Sequence, residues 1–145
     1  MAVVPDHDWL INLAGASIFM RWTPEHKKTI RDSRILTTRN LVQAMRPGNS
    51  QTLFSTSAIG YYGASGDKTL TEASAPGTDF LARVCQAWEE EARQAEQLGI
   101  RVVSVRFGIV LGSDGGALPQ MLLPFRLGLG GRLLIEQFLG RLQGR

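Results

Sequence analysis

The chain has 145 residues, 43% of them hydrophobic, and its 16 lysines and arginines against 13 acids leave a net charge of +3. That length suits one domain, burying roughly 68–70% of the unfolded chain's surface. Scattered basic residues exclude a nucleic-acid stripe, the lack of about eighteen consecutive apolar residues excludes a membrane span, and Cys85, the only cysteine, excludes an internal disulfide or a cysteine-based zinc site.

The first residues, Met1 to Asp8, carry no basic flank and no apolar stretch of signal length, which together with the single cysteine points to the cytoplasm. Trp9 to Leu13 is a short apolar run closed by Ala14-Gly15, the pattern of a strand buried on both faces. Thr23-Pro24-Glu25 then opens a helix with a hydroxyl cap, a proline at the first helical position and an acid in the first turn. Ile30, Thr37 or Thr38, Leu41, Val42 and Met45 recur at helical spacing until Pro47-Gly48 stops the element. Leu53 to Ser57 reads as a second strand. A polar loop from Gly63 to Gly77 follows, of a length that in compact domains is often functional. Thr78 or Asp79 caps a second helix with Leu81, Val84, Trp88, Ala95 and Leu98 on its apolar face, and Gly99 ends it. Ile100 to Val105, rich in β-branched residues, is the third strand.

Alternating strands and helices imply parallel strands with right-handed crossovers, one half of a doubly wound α/β sheet. All carboxyl ends of such strands lie along one edge, so Ala14-Gly15, Ser57-Ala58 and Arg106-Phe107-Gly108 converge on one crevice, where open α/β sheets bind ligands. There Ser57 could donate to a substrate oxygen and Tyr61 or Tyr62 could stack or hydrogen-bond. The Ser55 to Ser57 run reads equally well as turn capping, and Arg106 as an ion-pairing arginine at a strand end. His7 and His26 lack metal-ligand spacing, and no metal site is expected.

Asn12-Leu13-Ala14-Gly15, Arg21-Trp22-Thr23, Ser33-Arg34, Gly60-Tyr61-Tyr62-Gly63, Trp88-Glu89, Arg106 to Gly112 and Met121 to Gly131 together resemble the epimerase-like (nucleoside-diphosphate-sugar epimerase-like) branch of the atypical short-chain dehydrogenase/reductases, over about residues 8 to 131. The resemblance implies a partial Rossmann-like domain over residues 1–131 that binds NAD(P), with NADP the favoured form, a small-molecule substrate, and a non-matching tail over residues 132–145. It also assigns residues: Leu13 and Ala14 to the turn along the cofactor, Arg34 to the helix arginine near it, Val110 to the nicotinamide end, and Ser57 to the serine that polarises the substrate carbonyl in active relatives.

Three departures qualify that picture. The wider superfamily opens with a strand and a glycine-rich turn that holds the pyrophosphate, whereas Met1 to Asp8 contains no glycine. Its catalytic tyrosine and lysine sit one helical turn apart, where this chain has Phe80 and Val84. The resemblance stops after Gly131. A fragment with weak or absent turnover is therefore expected, and a non-catalytic nucleotide-sensing or protein-interaction module is the alternative. Leaving even about 400 Å² of apolar sheet uncovered forfeits on the order of 10 kcal/mol, so a homo-oligomer or a missing N-terminal half is the expected protein partner.

Overall fold

A computed structural model describes residues 7–48 and 51–112, with Leu118, Pro119, Leu122 and Arg126 beyond them. The sequence-derived boundary at residue 131, the tail over 132–145 and residues 1–6 of the glycine-free start lie outside the described residues.

Three parallel strands form one sheet: β1 (Trp9–Asn12), β2 (Thr52–Ala58) and β3 (Arg101–Phe107), with β2 in the middle. Helix α1 (Pro24–Ala44) connects β1 to β2, and α2 (Phe80–Arg93) connects β2 to β3. This is a partial Rossmann-like α/β fold, as the element order implies. Both helices start at the expected caps. The Thr23 hydroxyl accepts the His26 N–H and the Asp79 carboxylate accepts the Ala82 N–H, each satisfying an amide that the first helical turn leaves unpaired. Helix α2 runs into a 3₁₀ turn (Gln94–Leu98), which Gly99 closes in the left-handed conformation at φ +75°.

The strands align so that Leu10, Leu53 and Val102 lie side by side, followed by Asn12, Ser55 and Ser104, and then Ser57 beside Arg106. This row faces the helices. Leu10 and Leu53 meet Val42 of α1 and Met45 at its C-cap, together with Ala92, Ala95 and Ile100, forming the core at the amino-terminal half of the sheet. Each large aliphatic side chain buried there contributes about 1.5–3 kcal/mol. Toward the carboxyl ends the same face turns polar, with Asn12, Thr38, Ser57 and Glu89 all buried.

The opposite face is open among the described residues. The sequence pattern predicts β1 to be buried on both sides, but Trp9 is 72% exposed and Ile11 66%, while Leu10 and Asn12 alternate inward. The reason is topological. Both crossovers step in the same direction along the sheet, so right-handedness puts both helices on one face. Ile11, Leu13, Phe54, Thr56, Val105 and Phe107 line a shallow apolar groove on the side the helices leave bare.

Candidate functional site

Parallel pairing brings the three trailing turns to one edge, and a buried polar scaffold fixes each of them. Behind the turn after β1, Thr38 of α1 accepts the Asn12 Nδ2–H at 2.7 Å and the Trp88 Nε1–H at 2.9 Å, so one hydroxyl joins β1, α1 and α2. The Asn12 carboxamide in turn accepts the Ala14 N–H at 3.2 Å, and Ser33 Oγ accepts the Ala16 N–H at 2.9 Å. These bonds hold the Leu13–Ala14–Gly15 backbone over the middle of α1. Leu13 itself points away from the helices and is 70% exposed.

Arg34 lies directly beneath that turn. A Cβ built on Gly15 would come to 3.0 Å from the Arg34 Cζ and Nη2, so a side chain here would press on the guanidinium where it now lies. The guanidinium rests over the Trp88 ring at 5.3 Å and spends one N–H on the Ile30 carbonyl at 2.9 Å. No carboxylate forms an ion pair with it among the described residues. Burial holds its pKa below the ordinary arginine value, the signature of a cation short of compensating charge. Cys85 is nearby on α2, buried, and its thiol is pushed up by that burial, only partly offset by the Ala58 backbone, the Ser57 hydroxyl and Arg34.

The second half of the edge is organised in the opposite way. Glu89 of α2 takes a two-pronged salt bridge from Arg106 of β3, with Nε to Oε1 and Nη2 to Oε2 both at 2.8 Å. Ser57 donates its hydroxyl to the same Oε1 at 2.6 Å. The remaining Arg106 nitrogen, Nη1, donates to the Tyr62 hydroxyl oxygen at 2.7 Å and to the Glu72 carbonyl at 3.2 Å, and the Tyr61 ring lies 3.5 Å from Cζ. Burial by itself would raise the Glu89 carboxyl, but the bonds from Arg106 and Ser57 outweigh it and hold the group below the ordinary carboxylate value. Arg106 is raised, chiefly by its bonds to Glu89.

The residues singled out in the sequence therefore separate into two sets. Leu13, Ala14 and Arg34 gather at the turn after β1. Val110, 73% exposed, follows β3 in the run where Ile109 and Leu111 are also exposed. Ser57 stands at the same edge but faces the helices, 1% exposed, with its proton committed to Glu89; what remains to it is acceptor capacity. Arg106 is the ion-pairing strand-end arginine of the two readings left open. Phe80 packs edge-on against Trp22 at 5.5 Å beneath Lys27, and Val84 is buried. Glu89 is not among the site residues the sequence reading assigns, although the sequence carries a signal for it. Ala82, Cys85, Glu89 and Ala92 share one helical stripe, and an acid on an otherwise apolar stripe needs a buried partner.

The family model for the NAD-dependent epimerase/dehydratase family matches residues 2–135. The chain belongs to that family. It is 49% identical over 133 residues to the epimerase family protein SSP1921 of Staphylococcus saprophyticus, an alignment covering 90% of this chain and 45% of that protein. Among solved structures, the human epimerase family protein SDR39U1, determined with NADPH, superposes with a TM-score of 0.75 at 37% identity, over 88% of this chain and 45% of the human one. The nucleoside-diphosphate sugar epimerase from Corynebacterium glutamicum gives a TM-score of 0.69 at 40% identity, over 86% of this chain and 27% of that one. The chain thus spans about half the length of the curated relatives it matches. No helix among the described residues is long and apolar enough to cross a membrane.

Proposed function

We propose that this chain supplies the strand-end crevice of an NADP-binding, epimerase-like oxidoreductase of the cytoplasm, acting on a small-molecule substrate. The observation that carries the reading is Arg34, a half-buried cation with no carboxylate partner among the described residues, lying against a glycine that lets a ligand come close to the backbone. An anionic dinucleotide suits that donor set. The guanidinium would hold a phosphate, exposed Leu13 and half-buried Ala14 would lie along the ligand, and apolar Val110 would flank the nicotinamide end. When bound, the nicotinamide supplies hydride exchange. The chain's own contribution is to orient the dinucleotide. For Ser57 to polarise a carbonyl as well, its hydroxyl must first leave Glu89.

The open sheet face and the span of about half the relatives' length favour a binding unit completed by further chain or by a second copy, with weak or absent turnover from these residues alone. Apolar surface of that extent favours a protein partner, whereas membrane and nucleic-acid partners have no matching patch in the sequence. A titration following NADPH fluorescence tests the binding reading, with a saturable change expected below about 1 mM, a dissociation energy of roughly 4 kcal/mol. A flat signal through that range rejects it for this chain. A second reading, a nucleotide-sensing or protein-interaction module without catalysis, is favoured by Tyr62 and Tyr61 both being turned in to Arg106. Hydride exchange on a sugar nucleotide or another carbonyl substrate would exclude it.

A further inference from the structure

The loop from Gly63 to Gly77 leaves and re-enters the fold through one narrow neck. The Gly77 N–H bonds the Tyr61 carbonyl at 2.9 Å, and a Cβ built on Gly77 would fall 2.8 Å from the Gly63 Cα, so the two glycines close the loop at its base. Within the loop Thr71 and Ser74 bond one another through backbone and hydroxyl groups. Gln86 of α2 and Ser65 add bonds near the neck, from Gln86 Nε2 to the Gly77 carbonyl at 3.0 Å and from the Ser65 hydroxyl to the Tyr62 carbonyl at 3.2 Å, and Arg106 ties down the middle of the loop. Its Nη1 reaches the Glu72 carbonyl halfway round the loop and the Tyr62 oxygen at the neck, while the Tyr61 ring covers its face. Arg106 can do this because Glu89 takes its other two nitrogens, fixing the plane of the guanidinium, and Glu89 is itself steadied by Ser57. A planar five-donor group held on one side by a carboxylate presents its remaining donors at a fixed angle, which a lysine ammonium does not.

We propose that Glu89 and Arg106 are positioning residues that latch loop 63–77 over the ends of β2 and β3, so that the loop stands as a fixed wall of the ligand crevice and sets which substrates fit beside the cofactor. The specificity half of this statement rests on the proposed cofactor reading; the latch itself does not. Asp67, Lys68, Thr71 and Glu72 would then be the polar groups offered at the wall, and all four are exposed. Arg106 acts through the loop, with four of its five donors spent on Glu89, Tyr62 and Glu72.

Hydrogen exchange of the 60–79 segment, together with the rate of tryptic cleavage after exposed Lys68, reads the latch in the intact chain. Tyr62→Phe removes one bond and leaves the buried ion pair in place. It should speed loop exchange and Lys68 cleavage about two- to tenfold, the weight of one hydrogen bond, while exchange in α1 stays at the wild-type rate. The paired replacement Glu89→Leu with Arg106→Met removes the latch without orphaning a charge and should open the loop at least as far; Arg106→Lys should open it too. A loop as protected in Tyr62→Phe as in wild type overturns the proposal, and so does exchange that rises equally in α1. If the paired variant does not fold, Tyr62→Phe decides. NADPH titration of the same proteins separates the two ideas: wild type that binds no cofactor defeats the proposed function, whereas the exchange result still judges the latch.

Discussion

Arg34 and Arg106 approach the same edge of the sheet, one from under β1 and one from the end of β3, and their surroundings differ in almost every respect. Arg106 has a forked carboxylate, a phenol, a carbonyl and an aromatic ring around it, and its pKa is raised. Arg34 has one carbonyl, the face of Trp88 and a glycine, and its pKa is lowered by burial. A cation whose charge is met by an internal carboxylate builds structure. A cation kept half-buried without a counter-charge is costly to the fold, and an anionic ligand would offset that cost. The crevice is thus divided between a half that holds itself together and a half left open for a ligand.

That division can be broken most forcefully at Glu89. Glu89→Ala leaves Arg106 partly buried and without its carboxylate, and a loss of about 3–5 kcal/mol is expected in chemical denaturation, a large share of a marginal domain's stability. A loss below about 1 kcal/mol would show that the ion pair does not organise the edge. Thr38→Val comes next. It removes the acceptor shared by Asn12 and Trp88 and should cost about 1–3 kcal/mol, because both donors remain buried.

The pH dependence follows from the same pair. The folded Glu89 carboxyl lies below its ordinary value of 4.5, so the unfolded chain takes up the proton first as the solution is acidified. The stability Glu89 contributes is complete above that value and is lost as pH falls through the lower, folded value. Melts between pH 7 and pH 3 should show stability falling at the acid end, with the fall reduced in the Glu89→Leu, Arg106→Met protein. An equal fall in both would assign the acid limb to other carboxylates. The smallest effect is expected at Arg34 itself: Arg34→Met should change stability by no more than about 1 kcal/mol in either direction, since no ion pair is lost.

Much of this fold is legible in the sequence, because its signals are local. The Thr23-Pro24 start of α1, the β-branched run of β3 and the Gly99 stop after α2 each act within a few residues, and the parallel order follows from their alternation. The exposure of Trp9 and Ile11 is not local. It depends on which face both crossover helices occupy, and an apolar run reads the same whether or not something covers it. The state of the two arginines is hidden for the same reason. Arg34 and Arg106 are alike as letters, and only the return of the chain from Glu89 in α2 to Arg106 in β3, seventeen residues on, puts a carboxylate beside one of them and not the other. The candidate cofactor residues rest on likeness to a family; local chemistry alone reads Arg34 as a charge on a helix.

The central claim is that the uncompensated arginine, rather than the paired one, receives the ligand. Following NADPH fluorescence on titration into wild type and Arg34→Met tests it most directly. Saturable binding to wild type is expected, with a loss of about tenfold or more in the variant, the scale of one charge-assisted contact. Equal affinity in the two proteins, or no binding to wild type, would contradict it.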